Sequence, residues 1–168
     1  MIKSIACLAS LLSLAALAAD KPATEGAVPG QWTMDFDAAR KVAAEKKLPL
    51  LINFTGSDWC GWCKKMQAET LSKKEFIAFA SSNLILVEVD FPNAPQPPAV
   101  HQANDALKDK FKVRGFPGFV LVNAKGEELG RQSGYLEGGV PAFVGKLTKW
   151  LAKAKPEADS ADATVRSK

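Results

Sequence analysis

Two apolar runs of strand length, Leu50 to Thr55 and Leu84 to Val89, are separated by stretches with helical patterning, one through Met66 to Leu71 and one with Phe76, Phe79 and Ala80 on its inner face. This alternation constrains the chain more than any other feature, because strand, helix and strand in that order build a parallel βαβ unit. The segments on either side extend the pattern. Asp35 precedes a helical stretch with Phe36, Ala39, Val42 and Ala43 on one face, ending near Lys47 before Pro49. Ser72-Lys73-Lys74-Glu75 has the form of a capping box, with Ser72 at the N-cap and Glu75 three residues on. The stretch Pro92 to Pro98 breaks structure before a helix expected from about Val100 to Phe111. Gly118 to Val122 and Glu127 to Gln132 flank Asn123-Ala124-Lys125-Gly126 and read as a hairpin. Val140, Phe143, Val144, Leu147 and Leu151 then line one face of a last helix, with Pro141 in its first turn. The expected architecture is α/β: a central mixed sheet, made of a βαβ half and a ββα half, with flanking helices.

The two ends have a different composition. Lys3 and the apolar run Ile5 to Leu17, closed by Ala16-Leu17-Ala18, form the pattern of a secretory signal peptide, so residues 1–18 are expected to be removed. The run is shorter than the roughly 20 apolar residues a membrane span needs. Residues 19–30, with Pro22, Gly26, Pro29 and Gly30, read as a linker. Residues 156–168 have no aromatic side chain and read as a disordered tail. The folded unit is then 31–155. The protein is expected to be exported, periplasmic or secreted.

A formal net charge of +4, milder still once Lys3 is removed, with basic residues scattered in short pairs such as Lys46-Lys47, Lys64-Lys65 and Lys73-Lys74, argues against a nucleic-acid partner. Of the three cysteines, Cys7 lies inside the signal segment, which leaves Cys60 and Cys63 in the mature chain. A bridge across so short a loop adds little stability through the unfolded state, so chemistry is the better reason for the pair. A zinc site would need further ligands, and the mature chain offers no other cysteine and only one histidine, His101. Covalent haem attachment would need a histidine after Cys63, where Lys64 stands. No metal and no cofactor is therefore expected, and His101 is given no role.

Cys60 falls where a strand passes into a helix, so backbone N–H groups and the positive helix end can stabilise its thiolate. Cys63, one turn later, is within reach of the Cys60 sulfur but deeper in the helix. The pair is thus read as attacking and resolving thiols of a disulfide-exchange cycle.

Trp59-Cys60-Gly61-Trp62-Cys63-Lys64 resembles the active-site signature of thioredoxins, and Val113-Arg114-Gly115-Phe116-Pro117 resembles that family's second motif. The likeness spans about residues 31–154, and Asn53 to Trp59 is similar to an exported bacterial branch of the superfamily. The resemblance implies a thioredoxin fold and thiol-disulfide exchange, with Pro117 as a cis-proline facing the cysteines and the backbone of Phe116 pairing with a client strand. Trp59, Gly61, Trp62, Phe116 and Pro117 are the expected client-binding residues beside catalytic Cys60 and Cys63. The sequence departs from the family in three places. Asn53 stands where thioredoxins have a buried Asp that takes the proton of the resolving cysteine, and an amide cannot do so; Trp62 replaces a proline; and the loop from Pro92 to Pro98 is longer. Lys64 and Lys65 are read as either favouring the thiolate by charge or simply solvated.

The function expected is a thiol-disulfide oxidoreductase acting on protein disulfides, as reductase or isomerase, with client proteins and a membrane thiol-disulfide electron donor as partners and a monomeric state. The rivals are a secreted binding module with an idle disulfide and a disulfide-donating oxidase.

Overall fold

The computed structural model describes residues 21–153, so the expected signal segment with Cys7 and the expected tail lie outside the described residues. Five strands, β1 (Trp32–Thr33), β2 (Leu50–Thr55), β3 (Ile85–Asp90), β4 (Gly118–Val122) and β5 (Glu128–Ser133), form one sheet in the order β1-β3-β2-β4-β5. β1, β3 and β2 are parallel, whereas β4 runs antiparallel to β2 and to β5. This is the expected mixed sheet of two halves, joined along β2 and β4.

Side chains alternate across β2 and β3, and each face has its own core. Leu50, Ile52, Phe54, Ile85, Val87 and Val89 turn to one face, where helix α1 (Phe36–Lys46) contributes Ala39 and Ala43 and helix α4 (Pro98–Lys110) leads to Phe111. Leu51, Leu86, Phe119 and Leu121 turn to the other. That face is covered by α2 (Gly61–Met66), its π-helical continuation Gln67–Leu71, α3 (Lys74–Asn83) and α5 (Gly139–Leu151).

The helix boundaries follow local chemistry. Asp35 accepts a hydrogen bond from the Ala38 N–H (2.9 Å) and caps α1, which Lys47 closes in a left-handed turn. Pro98 opens α4 at a position where its missing N–H costs nothing. The capping box expected at Ser72 does not form. The helix ahead of it widens into the π turn, and both the N–H (3.0 Å) and the hydroxyl (2.8 Å) of Ser72 bond to the Gln67 carbonyl, so Ser72 still closes that helix. α3 starts one residue later, with Lys73 at its N-cap and no side-chain cap.

β1 gave no sequence signal, since two residues are too few for alternation to register. It also organises what composition marks as linker: Ala23 bridges to Thr33, and the Thr33 hydroxyl bonds to the carbonyls of Ala23 (3.2 Å) and Gly26 (2.5 Å). Residues 21–30 therefore run against the edge of the sheet rather than away from it.

Candidate active site

β2 ends at Thr55, and the chain turns through Gly56 to Trp59 before α2 begins. The Gly56 carbonyl accepts from the Cys60 N–H (2.9 Å), and any side chain at Gly56 would collide with the Trp59 indole, which folds back over the strand end. The turn is held from β3 and the loop after it. Asp90 accepts from the N–H (2.8 Å) and hydroxyl (2.5 Å) of Ser57, Trp59 Nε1 donates to the Phe91 carbonyl (2.7 Å), and Asp58 accepts from the N–H groups of Asn93 (2.9 Å) and Ala94 (3.0 Å). These last two bonds hold the Asp58 carboxyl below its usual range.

Cys60 is the N-cap of α2, and its sulfur accepts from the Cys63 N–H (3.2 Å). The two cysteines form a disulfide with Cα atoms 5.2 Å apart. Both are buried, at 6% and 4% exposure, while the tryptophans beside them are open, Trp59 at 46% and Trp62 at 59%. Gly61 is exposed, with open space where a side chain would be. The site is thus a small covered sulfur pair within an exposed aromatic rim.

Two aromatic groups make up that rim. Trp59 meets Phe116 edge-on (centroids 5.8 Å apart), and Phe116 packs on Phe91 (5.4 Å). Trp62 lies against Tyr135 (5.3 Å), with Lys65 Nζ above both rings at 5.5 and 4.7 Å. The Tyr135 hydroxyl donates to Glu69, which together with burial pushes its pKa up to about 12. The Phe116–Pro117 bond is cis. Pro117 is buried and its carbonyl accepts from Gly134 N–H (2.8 Å), whereas Phe116 makes no backbone hydrogen bond among the described residues. Lys64 donates to the Asp58 carbonyl (2.7 Å), so both lysines after Cys63 have partners other than sulfur.

His101 is on α4, paired with Asp105 (3.0 Å) on a solvated helix face. Asn53 is buried at 3% exposure, and its Oδ1 has no hydrogen-bond partner among the described residues. The absence of a carboxylate at position 53 does not leave this face without one. Glu88 stands beside Asn53 in the parallel β2–β3 ladder, on the same face, and is only partly exposed. Burial, then the charge of Asp90, pushes its carboxyl from 4.5 up to about 7. Its signal in the sequence was a lone acid inside the apolar run of β3. Phe91 and Tyr135, which complete the rim, carried none.

The model of the thioredoxin-like domain matches residues 36–147. The chain belongs to that family. Within the thioredoxin-like family, it is 43% identical over 122 residues to the disulfide bond reductase DsbH of Chlamydia pneumoniae, covering 72% of each protein. It is 38% identical over 101 residues to the thioredoxin-related protein DsbJ of the same organism, covering 60% of this chain and 29% of that protein. The solved structure of a DsbH oxidoreductase superposes with a TM-score of 0.68 at 36% identity, covering 86% of this chain and 94% of that one. With its Cys60–Cys63 disulfide, this thioredoxin-like chain is a thiol-disulfide oxidoreductase of the Dsb type.

Proposed function

We propose that the protein reduces or isomerises disulfides of exported client proteins, with Cys60 as the attacking thiol and Cys63 as the resolving one. The observation that carries this reading is the Cys63 N–H on the Cys60 sulfur at the head of α2, where it favours a thiolate at Cys60. The Cys60 thiolate attacks a client disulfide; one client sulfur leaves as thiolate and the other is held in a mixed disulfide. Cys63 then attacks Cys60, the Cys60–Cys63 bond forms, and the second client sulfur departs. The client gains two electrons and the dithiol loses them, so an external dithiol must restore the pair. A membrane thiol-disulfide carrier fits that need for an exported protein.

Trp59, Gly61 and Trp62 form one side of the client platform and Phe116 and Pro117 the other. The free backbone of Phe116 is suited to pair with an extended client segment, and the exposed indoles offer apolar area at low entropic cost. The signal pattern of residues 1–18 supports export, the folded unit is taken as 31–155 with 156–168 as a tail, and the protein is read as a monomer.

Direction is tested by equilibrating the mature protein with glutathione. A reductase gives a potential near the thioredoxin end of the range, about −270 mV, whereas a value near about −120 mV would make it a disulfide donor. Insulin reduction by dithiothreitol, faster with the protein than without, separates either from an idle disulfide.

A further inference from the structure

The resolving step needs a thiolate at Cys63, yet burial disfavours a charged sulfur there, so a nearby group must take its proton. Cys63 lies one helical turn before Met66, whose side chain joins the core on the Leu51 face, so Cys63 is on the inward side of α2. The crossover helix runs back along β2. Three helical residues advance about 4.5 Å, a little more than one strand residue at about 3.3 Å, which brings Cys63 back from the Gly56–Cys60 bond to the level of Thr55, with Asn53 next along that face. On that face Thr55 is flanked in register by Asp90 on β3, and Asn53, one step deeper, by Phe119 on β4 and Glu88 on β3.

We infer that Glu88 takes up the proton of Cys63 in the resolving step, the carboxylate having moved one strand across from the Asn53 position. The inference rests on Cys63 being the resolving thiol. The Cys63 thiol passes its proton to the Glu88 carboxylate, and the resulting thiolate attacks Cys60 Sγ. The Cys60–Cys63 bond forms as the Cys60–client bond breaks, and the electron pair leaves on the client sulfur. When an incoming dithiol reduces the pair again, Glu88 returns the proton. Asn53 suits the protonated state, because its orphaned Oδ1 is an acceptor for a carboxyl O–H on the next strand.

The surroundings leave Glu88 as the acceptor of this face. β1 presents Trp32 at the neighbouring level, β2 presents Asn53 and Thr55, and the helix above presents Cys63 and the fully buried Thr70. α3 and α5 turn Phe76, Ala80, Phe143 and Leu147 inward. Asp90, on the same strand, is engaged by Ser57, while Lys64 is held by the Asp58 carbonyl and Lys65 by the aromatic pair. A carboxyl balanced near neutral pH both accepts and returns a proton readily.

Stopped-flow reaction of the reduced mature protein with an aromatic disulfide reads both steps, a concentration-dependent release of aryl thiol by Cys60 and a concentration-independent one by Cys63. Glu88→Gln should slow the second phase about tenfold or more at pH 7, with the first phase as internal reference, and the deficit should shrink as rising pH lets Cys63 ionise unaided. Glu88→Asp, which keeps the carboxyl, should regain part of the rate. If Glu88→Gln gives the parental second phase and pH profile while Cys63→Ala lacks that phase, the inference falls and the cysteine assignment stands. If Cys63→Ala keeps the second phase, both fall.

Discussion

The two faces of the sheet are built from the same strands but to different standards. Toward α1 and α4, every buried side chain of β2, β3 and β4 is apolar, from Leu50, Ile52 and Phe54 to Val87 and Val89. Toward α2, the same strands place Asn53, Glu88 and Asp90 among Leu51, Leu86 and Phe119, and the π turn above adds a buried Thr70 hydroxyl without a partner. Unpartnered buried polar groups are costly, and here they gather on the face that carries the cysteines. One face supplies stability and the other gives some of it up for chemistry.

Substitutions on the two faces should therefore fail in different ways. The largest effect expected is at the sulfur pair. Cys60→Ala should abolish insulin reduction and Cys63→Ala should accumulate clients as mixed disulfides on non-reducing gels, both with little change in thermal stability beyond that of the lost short bridge. Equal trapping by both single variants would exchange or void the roles. On the apolar face, Phe54→Ala should cost about 3–5 kcal/mol by denaturant titration. The surviving folded fraction should still alkylate at Cys60 at the parental rate, and a loss of reactivity beyond the unfolded fraction would blur the division between faces.

A smaller effect belongs to Glu88. Its carboxyl keeps a proton up to about pH 7 in the folded chain but, at its ordinary value of 4.5, releases it earlier when unfolded. The folded state binds more protons in that window, so stability is full below it and falls as pH rises through it, by about 1–3 kcal/mol. Glu88→Gln should flatten the fall; an unchanged slope would mean the carboxyl is effectively solvated. The smallest effect is expected at the rim, where Trp62→Ala should raise KM for a protein disulfide several-fold and leave kcat within about twofold.

Much of this division was legible in the sequence. Continuous apolar runs at Leu50 and Leu84 marked strands buried on both sides, and the spacing of Cys60 and Cys63 marked a nucleophile at a helix start with its partner one turn on. What stayed hidden depends on contacts distant in sequence. Glu88 matters through its register with Asn53, Tyr135 and Phe91 join the rim only after the sheet closes, and the Ser72 capping pattern lost to a π turn that no local rule announces. β1 was simply too short to be seen.

The bonds that tie residues 57–59 to residues 90–94 carry a consequence for the choice of client. They order residues 57–59 before any client arrives, so little ordering entropy is lost on that side of the approach to Cys60. The client must supply the flexibility, and a disulfide in a locally unfolded or extended segment will reach the buried sulfur more easily than one fastened inside a packed domain. If the protein acts on client disulfides as proposed, this ordered approach is expected to favour chains that have not yet finished folding.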